Sequence, residues 1–139
     1  MDSFRTEDTF QIGYNMGLNA KKGEVYCLSG DLGVGKTVFT QGFAKGLGIE
    51  DAVNSPTFTI VQQYEGSKMP FYHFDVYRIA EADEMYEIGY DEYIDGDGVC
   101  VIEWPQLIDE ILPKNRYNIT ITKNYNEHDD YREIVIEKV

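Results

Sequence analysis

Basic side chains are scarce in this 139-residue chain: 12 Lys and Arg stand against 25 Asp and Glu, a formal net charge of −13. A surface that acidic repels nucleic-acid phosphates and anionic membranes at physiological salt, which disfavours stable, direct tRNA or DNA binding by this chain alone. Acidity most often serves solubility, and its use as a docking face for a less acidic protein is the minority reading. Cysteine is nearly absent too. Cys27 and Cys100 each sit inside an apolar run, where they read as core. Cys27 and Cys100, with the isolated His73 and His128, are too scattered to read as a zinc site, and a disulfide needs oxidising surroundings. No apolar run is long enough to span a bilayer, and MDSFRTEDTF lacks the basic start and apolar stretch of a secretory signal, so a cytoplasmic protein that avoids membranes is expected. Linkers, repeats and low-complexity segments are missing, which predicts one domain over residues 1–139.

What is there is a globular composition, 42% hydrophobic and 27% charged. Residues 6–20 place Phe10, Tyr14 and Leu18 on one helical face after an acidic start. EVYCLS, residues 24–29, reads as a strand that runs directly into a glycine-rich stretch, after which Phe39, Phe43 and Leu47 recur at helical spacing until Gly48. Residues 57–64 and 71–74 read as neighbouring strands, and the acidic stretch 81–95 as short helices with Met85 and Ile88 facing inward. The unbroken run Val99–Ile102 is the best candidate for a central strand covered on both faces. A short helix over 106–112 and a closing hairpin over 117–122 and 131–137 follow. The fold class expected is α/β: a three-layer, P-loop NTPase-like domain with a mixed, partly parallel sheet.

The glycine-rich stretch is GDLGVGKT, residues 30–37, a complete match to G-x-x-x-x-G-K-[ST] (Walker A) placed between strand and helix. Its glycines let the loop wrap a phosphate so that backbone N–H groups and the helix N-terminus converge on the anion. Lys36 then reaches the terminal phosphates and the Thr37 hydroxyl serves Mg²⁺. Such a site also needs a strand-end carboxylate, and two are offered: Glu103 after VCVI and Asp75 after FYHF. Arg78 reads equally as a surface cation or as a partner of Asp75 or a phosphate. Thr57 lies where nucleotide switches place a hydroxyl, with a plain strand-start threonine as the alternative. His73 reads as a hydrogen-bonded structural histidine, and Trp104 receives no role.

Taken together, GDLGVGKT, SPTFTIVQQY, HFDVYRI, EIGYDEYI and VIEWP, in that order from Gly30 to Pro105, resemble the TsaE family of bacterial tRNA threonylcarbamoyladenosine biosynthesis ATPases. The resemblance implies an ATPase acting with the TsaB and TsaD proteins in forming N6-threonylcarbamoyladenosine at position 37 of tRNA, with the tRNA handled only indirectly. It implies that Asp31, Leu32, Gly33, Val34, Gly35, Lys36 and Thr37 hold ATP, that Thr37 and Glu103 serve Mg²⁺, and that Asp75 is required for hydrolysis. Thr57 would respond to the γ-phosphate as part of a switch, and by looser alignment Thr6 and Arg132 would touch the nucleotide. The chemistry expected is hydrolysis by positioning and charge stabilisation, with Lys36, Glu103 and Asp75 as the catalytic set. Three other readings compete with it. A GTPase lacks its N-K-x-D element here. A small-molecule kinase lacks an arginine-bearing lid, since the chain has only Arg5, Arg78, Arg116 and Arg132. The third is a non-enzymatic module in which ATP switches partner binding.

Overall fold

The computed structural model describes residues 1–31, 33–54, 56, 59–123 and 131–139. Alternating burial along the strands builds the architecture. In β2 (Val25–Ser29), Val25 and Cys27 face one side and Tyr26 and Leu28 the other. β4 (Pro70–Asp75) splits into Phe71 against Tyr72 and Phe74, and β5 (Val99–Glu103) into Val99 and Val101 against Cys100 and Ile102. Strands apolar on both faces must be covered twice, as parallel strands usually are. On one face lie α1 (Thr6–Leu18) and α2 (Lys36–Gly46). On the other lie α3 (Glu84–Glu87), α4 (Tyr90–Ile94) and a 3-10 segment, Pro105–Ile111, which bury Met85, Tyr90 and Ile108. The result is the expected three-layer α/β fold.

The sheet is completed by β1 (Asp2–Ser3), β3 (Val61–Glu65), β6 (Tyr117–Lys123) and β7 (Arg132–Lys138), in the order β1-β7-β6-β2-β5-β4-β3. β2 is parallel to β5 and β6, and β4 to β5, while the outer pairs β3–β4, β6–β7 and β1–β7 are antiparallel. β5 sits between β2 and β4 with all five residues buried, as its unbroken apolar run requires. Both cysteines are free and buried in the second core cluster, where burial pushes each thiol up to about 12.

Several local expectations shift. β3 begins at Val61, later than expected: Thr59 and Ile60 are bends, and the expected start at Thr57 lies outside the described residues. The segment after Pro105 is a 3-10 helix broken at Ile108. The two-residue β1 had no periodicity to reveal it; it is held by reciprocal backbone bonds between Met1 and Ile134 and by the buried Ser3–Thr9 hydroxyl pair at 2.7 Å.

The largest correction concerns α1. Its aromatic stripe is not its buried face: Phe10 and Tyr14 are half-buried and Leu18 is 44% exposed, whereas Thr9, Gly13 and Gly17 are buried. Two glycines four residues apart on α1 meet two more on α2, Gly42 and Gly46, so the backbones touch without intervening side chains. A methyl group at Gly13 or Gly17 would strike the backbone carbonyls of Phe39 or Phe43, and one at Gly42 or Gly46 those of Phe10 or Tyr14. Helix propensity alone favours Ala over Gly by about 1 kcal/mol, but backbone atoms cannot swing aside as a side chain would. Gly17→Ala is therefore expected to destabilise the fold by about 1–3 kcal/mol, the usual cost of overpacking, despite its better propensity. Urea unfolding beside the exposed control Leu18→Ala checks this; an unchanged midpoint for Gly17→Ala would show that the helices separate freely.

Candidate functional site

The carboxyl ends of the parallel strands converge on one cleft, the usual position for ligands in open α/β sheets. Leaving β2 at Ser29, the chain turns through Gly30, Gly33 and Gly35 with φ of 154°, 78° and 110°, angles that residues with a side chain rarely adopt. Gly30 also passes so close to β6 that a Cβ would lie 2.6 Å from the Ile121 carbonyl oxygen. Gly35 is the N-cap of α2 and, lacking a side chain, supplies no cap hydrogen bond to the first-turn N–H groups, which a bound anion can meet.

β4 and β5 deliver the acids. Asp75 and Glu103 are register partners on adjacent parallel strands, and Leu28, just before the loop, is level with Glu103. With Gly33, Gly35, Lys36, Thr37 and Trp104, the two carboxylates line a cleft of about 300 Å³. Thr37 is exposed beside the buried Lys36. A second cleft of about 170 Å³ shares Gly33 and Gly35 and is lined by Thr6, Thr9, Val34, Val38 and Arg132. Arg132 ties β7 to the glycine loop, its Nε donating to the Val34 carbonyl at 2.8 Å. Thus Thr6 and Arg132, predicted only by looser alignment, gather on one side of the loop. Lys36, Thr37, Asp75 and Glu103 gather on the other. Asp31 is exposed on the loop, and Leu32 and Thr57 lie outside the described residues. Arg78 is exposed and makes no ion pair among the described residues, so its pairing with Asp75 is not formed.

The electrostatics are unusual around Lys36. Its side chain is only 6% exposed and its Nζ has no hydrogen-bond partner among the described residues. The ammonium rests 3.8 Å from the centre of the Trp104 ring, a cation–π contact. Burial pulls its pKa below the usual lysine range, and the charges of Glu103, Asp75 and Asp31 oppose that shift. Asp75 moves the other way: burial raises its pKa and the Glu103 charge adds to the rise, while the Tyr77 N–H, donating to Oδ1 at 3.0 Å, opposes it. Glu103 is 3% exposed, and its Oε2 lies 2.7 Å from His73 Nε2.

Two contributors to the site were not assigned to it from the sequence. Trp104, to which the sequence assigns no role, is the only non-glycine residue at positive φ among the described residues (φ 62°, ψ 45°). Such a conformation costs about 1–2 kcal/mol and persists only where surroundings enforce it. Here Tyr77 packs on the indole at 4.8 Å and Lys36 on the ring. His73, expected as a structural histidine, is bonded to the site acid itself. Strand alternation held a signal for it: Phe71, His73 and Asp75 share one face of β4, one step from core to cleft at a time.

A glycine loop joining a parallel strand to the next helix, opposite acids on neighbouring strand ends, defines the P-loop-like class of α/β proteins. The family model described as "Threonylcarbamoyl adenosine biosynthesis protein TsaE" matches residues 4–134, and the chain belongs to that family. It is similar to the tRNA threonylcarbamoyladenosine biosynthesis protein TsaE of Bacillus subtilis, with 50% identity over 133 residues covering 96% of this chain and 81% of the relative. The protein of the same description from Treponema pallidum is 42% identical over 116 residues, covering 84% of each chain. Among solved structures, the crystal structure of Bacillus subtilis YdiB matches with a TM-score of 0.79 at 42% identity, over 98% of this chain and 82% of that one. Among the described residues, no helix is long and apolar enough to cross a membrane.

The site is built at the expense of stability, which two variants expose. For Lys36, a pKa lowered by folding means that its charge opposes folding at neutral pH, an opposition that fades as pH rises into the ordinary lysine range. Lys36→Met is expected to stabilise the chain at pH 7 by about 1 kcal/mol, the low end of the cost of a buried unsatisfied donor. For Asp75, a pKa raised by folding gives a stabilising contribution that is complete below the ordinary carboxylate range and is lost as pH rises through the folded value. Asp75→Asn should then exceed the parent in stability at pH 7.5 and lose that margin toward pH 4. Urea titrations at both pH values read the difference; a margin that grows on acidification would reverse the assigned shift.

Proposed function

We propose that this chain binds ATP with Mg²⁺ at the glycine loop, hydrolyses it, and so supports formation of N6-threonylcarbamoyladenosine in tRNA together with the TsaB and TsaD proteins. The observation that carries this reading is the Lys36 ammonium, buried at the mouth of the loop with no hydrogen-bond partner among the described residues. A buried, unsatisfied cation next to uncapped helix N–H groups is a demand for an anion, and a polyphosphate meets it with several oxygens at once. The net charge of −13 sharpens the point, because anion binding is favourable only where loop, helix end and lysine locally reverse the field.

The residues present fit the metal as well. No group of three or more His, Cys, Asp or Glu side chains forms a closed metal site among the described residues. Mg²⁺ is commonly held by one or two protein ligands together with substrate phosphates, and Thr37 and Glu103 lie at the same cleft. Thr37 and Glu103 would hold it, and Mg²⁺ would supply charge neutralisation at the phosphate oxygens. The second cleft, with Thr6 and Arg132, continues from the first across Gly33 and Gly35, which supports an elongated ligand lying along the loop with its nucleoside end there.

The chain's own part in hydrolysis is electrostatic and positional. Loop amides and Lys36 gather charge that develops on the phosphoryl oxygens. Asp75, one strand from Glu103, orients water; with Oδ1 held by the Tyr77 N–H, its carboxylate does not rotate freely. Trp104 keeps Lys36 in the cleft by cation–π attraction without consuming the ammonium's hydrogen-bonding capacity. No covalent intermediate is required. The family membership supports the tRNA-modifying role, and the acidic surface supports a division of labour in which partners handle the tRNA.

The test is ATP hydrolysis by the purified chain, alone and with TsaB and TsaD. Activity is expected to rise with the partners. Lys36→Ala and Asp75→Ala should each lower kcat by about 100-fold or more, the range seen when one preorganised electrostatic group is removed. Only Asp75→Ala should keep near-parental ATP affinity. If ATP binds tightly yet no combination hydrolyses it, the nucleotide is a switch ligand and the enzyme reading is withdrawn.

A further inference from the structure

His73 is 1% exposed and is reached only from inside the protein. Its ring stacks on Phe71, with planes 10° apart and centroids at 5.9 Å, which sets the imidazole plane. Nε2 meets the Glu103 Oε2 at 2.7 Å across β4 and β5, whereas Nδ1 has no partner among the described residues. A buried carboxylate that only needed neutralising would be matched as well by a flexible lysine. A rigid ring clamped by Phe71 and bonded through one nitrogen instead fixes direction.

We propose that His73 is a positioning residue whose Nε2–H holds the Glu103 carboxylate in the orientation that serves Mg²⁺ at the end of β5. This rests on the Mg²⁺-ATP reading of the cleft. His73 touches neither nucleotide nor metal in this arrangement. It acts through the carboxylate, two residues along the same strand from Asp75, so one short segment of β4 carries both the group that orients water and the group that orients the acid. Sequence spacing supports the geometry: alternate residues of one strand share a face, and His73 faces Glu103 diagonally because its register partner is Val101.

The experiment titrates Mg²⁺ into the full chain with a non-hydrolysable ATP analogue, following the emission of the single tryptophan, Trp104, which lines the cleft. His73→Phe is expected to weaken the apparent Mg²⁺ affinity by about 10–100-fold, the usual effect of losing the partner of a metal ligand, while analogue binding without Mg²⁺ stays unchanged. His73→Gln, whose terminal amide can place a donor near the lost Nε2, should recover most of that affinity. His73→Asn, too short to reach, should not. In a Glu103→Gln background His73→Phe should add no further loss, because the two act as one unit. The Gln and Asn variants keep the comparison available if Phe, by removing the Nε2–H beside the buried Glu103, prevents the chain from folding. Equal Mg²⁺ affinity in parent, Asn and Phe variants would overturn the positioning role. A parent whose analogue binding ignores Mg²⁺ would overturn the underlying reading as well.

Discussion

An ammonium placed in a protein interior must be answered by charge, by hydrogen bonds or by both, and among the described residues Lys36 is answered by charge and a ring. Glu103, Asp75 and Asp31 attract it, Trp104 lies against it, and its Nζ makes no hydrogen bond among the described residues. Much of the surrounding structure follows from holding that charge in place. Two adjacent parallel strands must end level so that Asp75 and Glu103 flank it, and the backbone at Trp104 must enter the left-handed region to bring the indole over it. Burial then drives the lysine and Asp75 in opposite directions, each away from its charged form. Opposed shifts on neighbouring groups in one cleft are the physical mark of a candidate functional site.

The helix that presents Lys36 is itself held by a seam with almost no side chains. Gly13 and Gly17 on α1 oppose Gly42 and Gly46 on α2, so the helices approach to backbone contact. An interface of that kind tolerates no sliding by a rotamer change, because the atoms in contact are carbonyls and amides. It therefore places the start of α2 against the sheet more tightly than an interface of long apolar side chains would. The same α1 carries Thr6 at its first turn and buried Thr9 bonded to Ser3, which joins the second cleft to the edge strand β1. Arg132 closes the circuit by bonding the loop at Val34 from β7. The glycine loop is thus braced from a helix on one side and a sheet edge on the other.

The acid pair shows how strand alternation distributes work. Phe71, His73 and Asp75 step along one face of β4 from core to cleft, and Val99, Val101 and Glu103 do so along β5. Core residues anchor each strand, and the last position on each reaches the site. Asp75 is held by a local backbone amide, whereas Glu103 is held by a side chain from the neighbouring strand. The first arrangement is visible within three residues of sequence. The second joins residues 30 positions apart and exists only once β4 and β5 lie side by side in register.

That difference separates what a local stretch of chain can encode from what it cannot. The glycine loop, the apolar run of β5, the stripe Phe39, Phe43 and Leu47 on α2 and the carboxylates at the ends of β4 and β5 are local patterns set by backbone angles and period, and each is legible in the chain alone. The buried face of α1 is not, because glycine carries no hydrophobic signal and its use as a contact surface appears only when a second glycine pair arrives from α2. The two-residue β1 is invisible for a similar reason: it has too few residues to show a period, and β7 alone makes it a strand. Sequence by itself determined the layer architecture, the glycine loop between strand and helix, and the carboxylates at the two strand ends. Tertiary structure decided the register that sets Asp75 level with Glu103, the His73–Glu103 bond and the Lys36–Trp104 contact, because each depends on distances between segments that no local propensity controls.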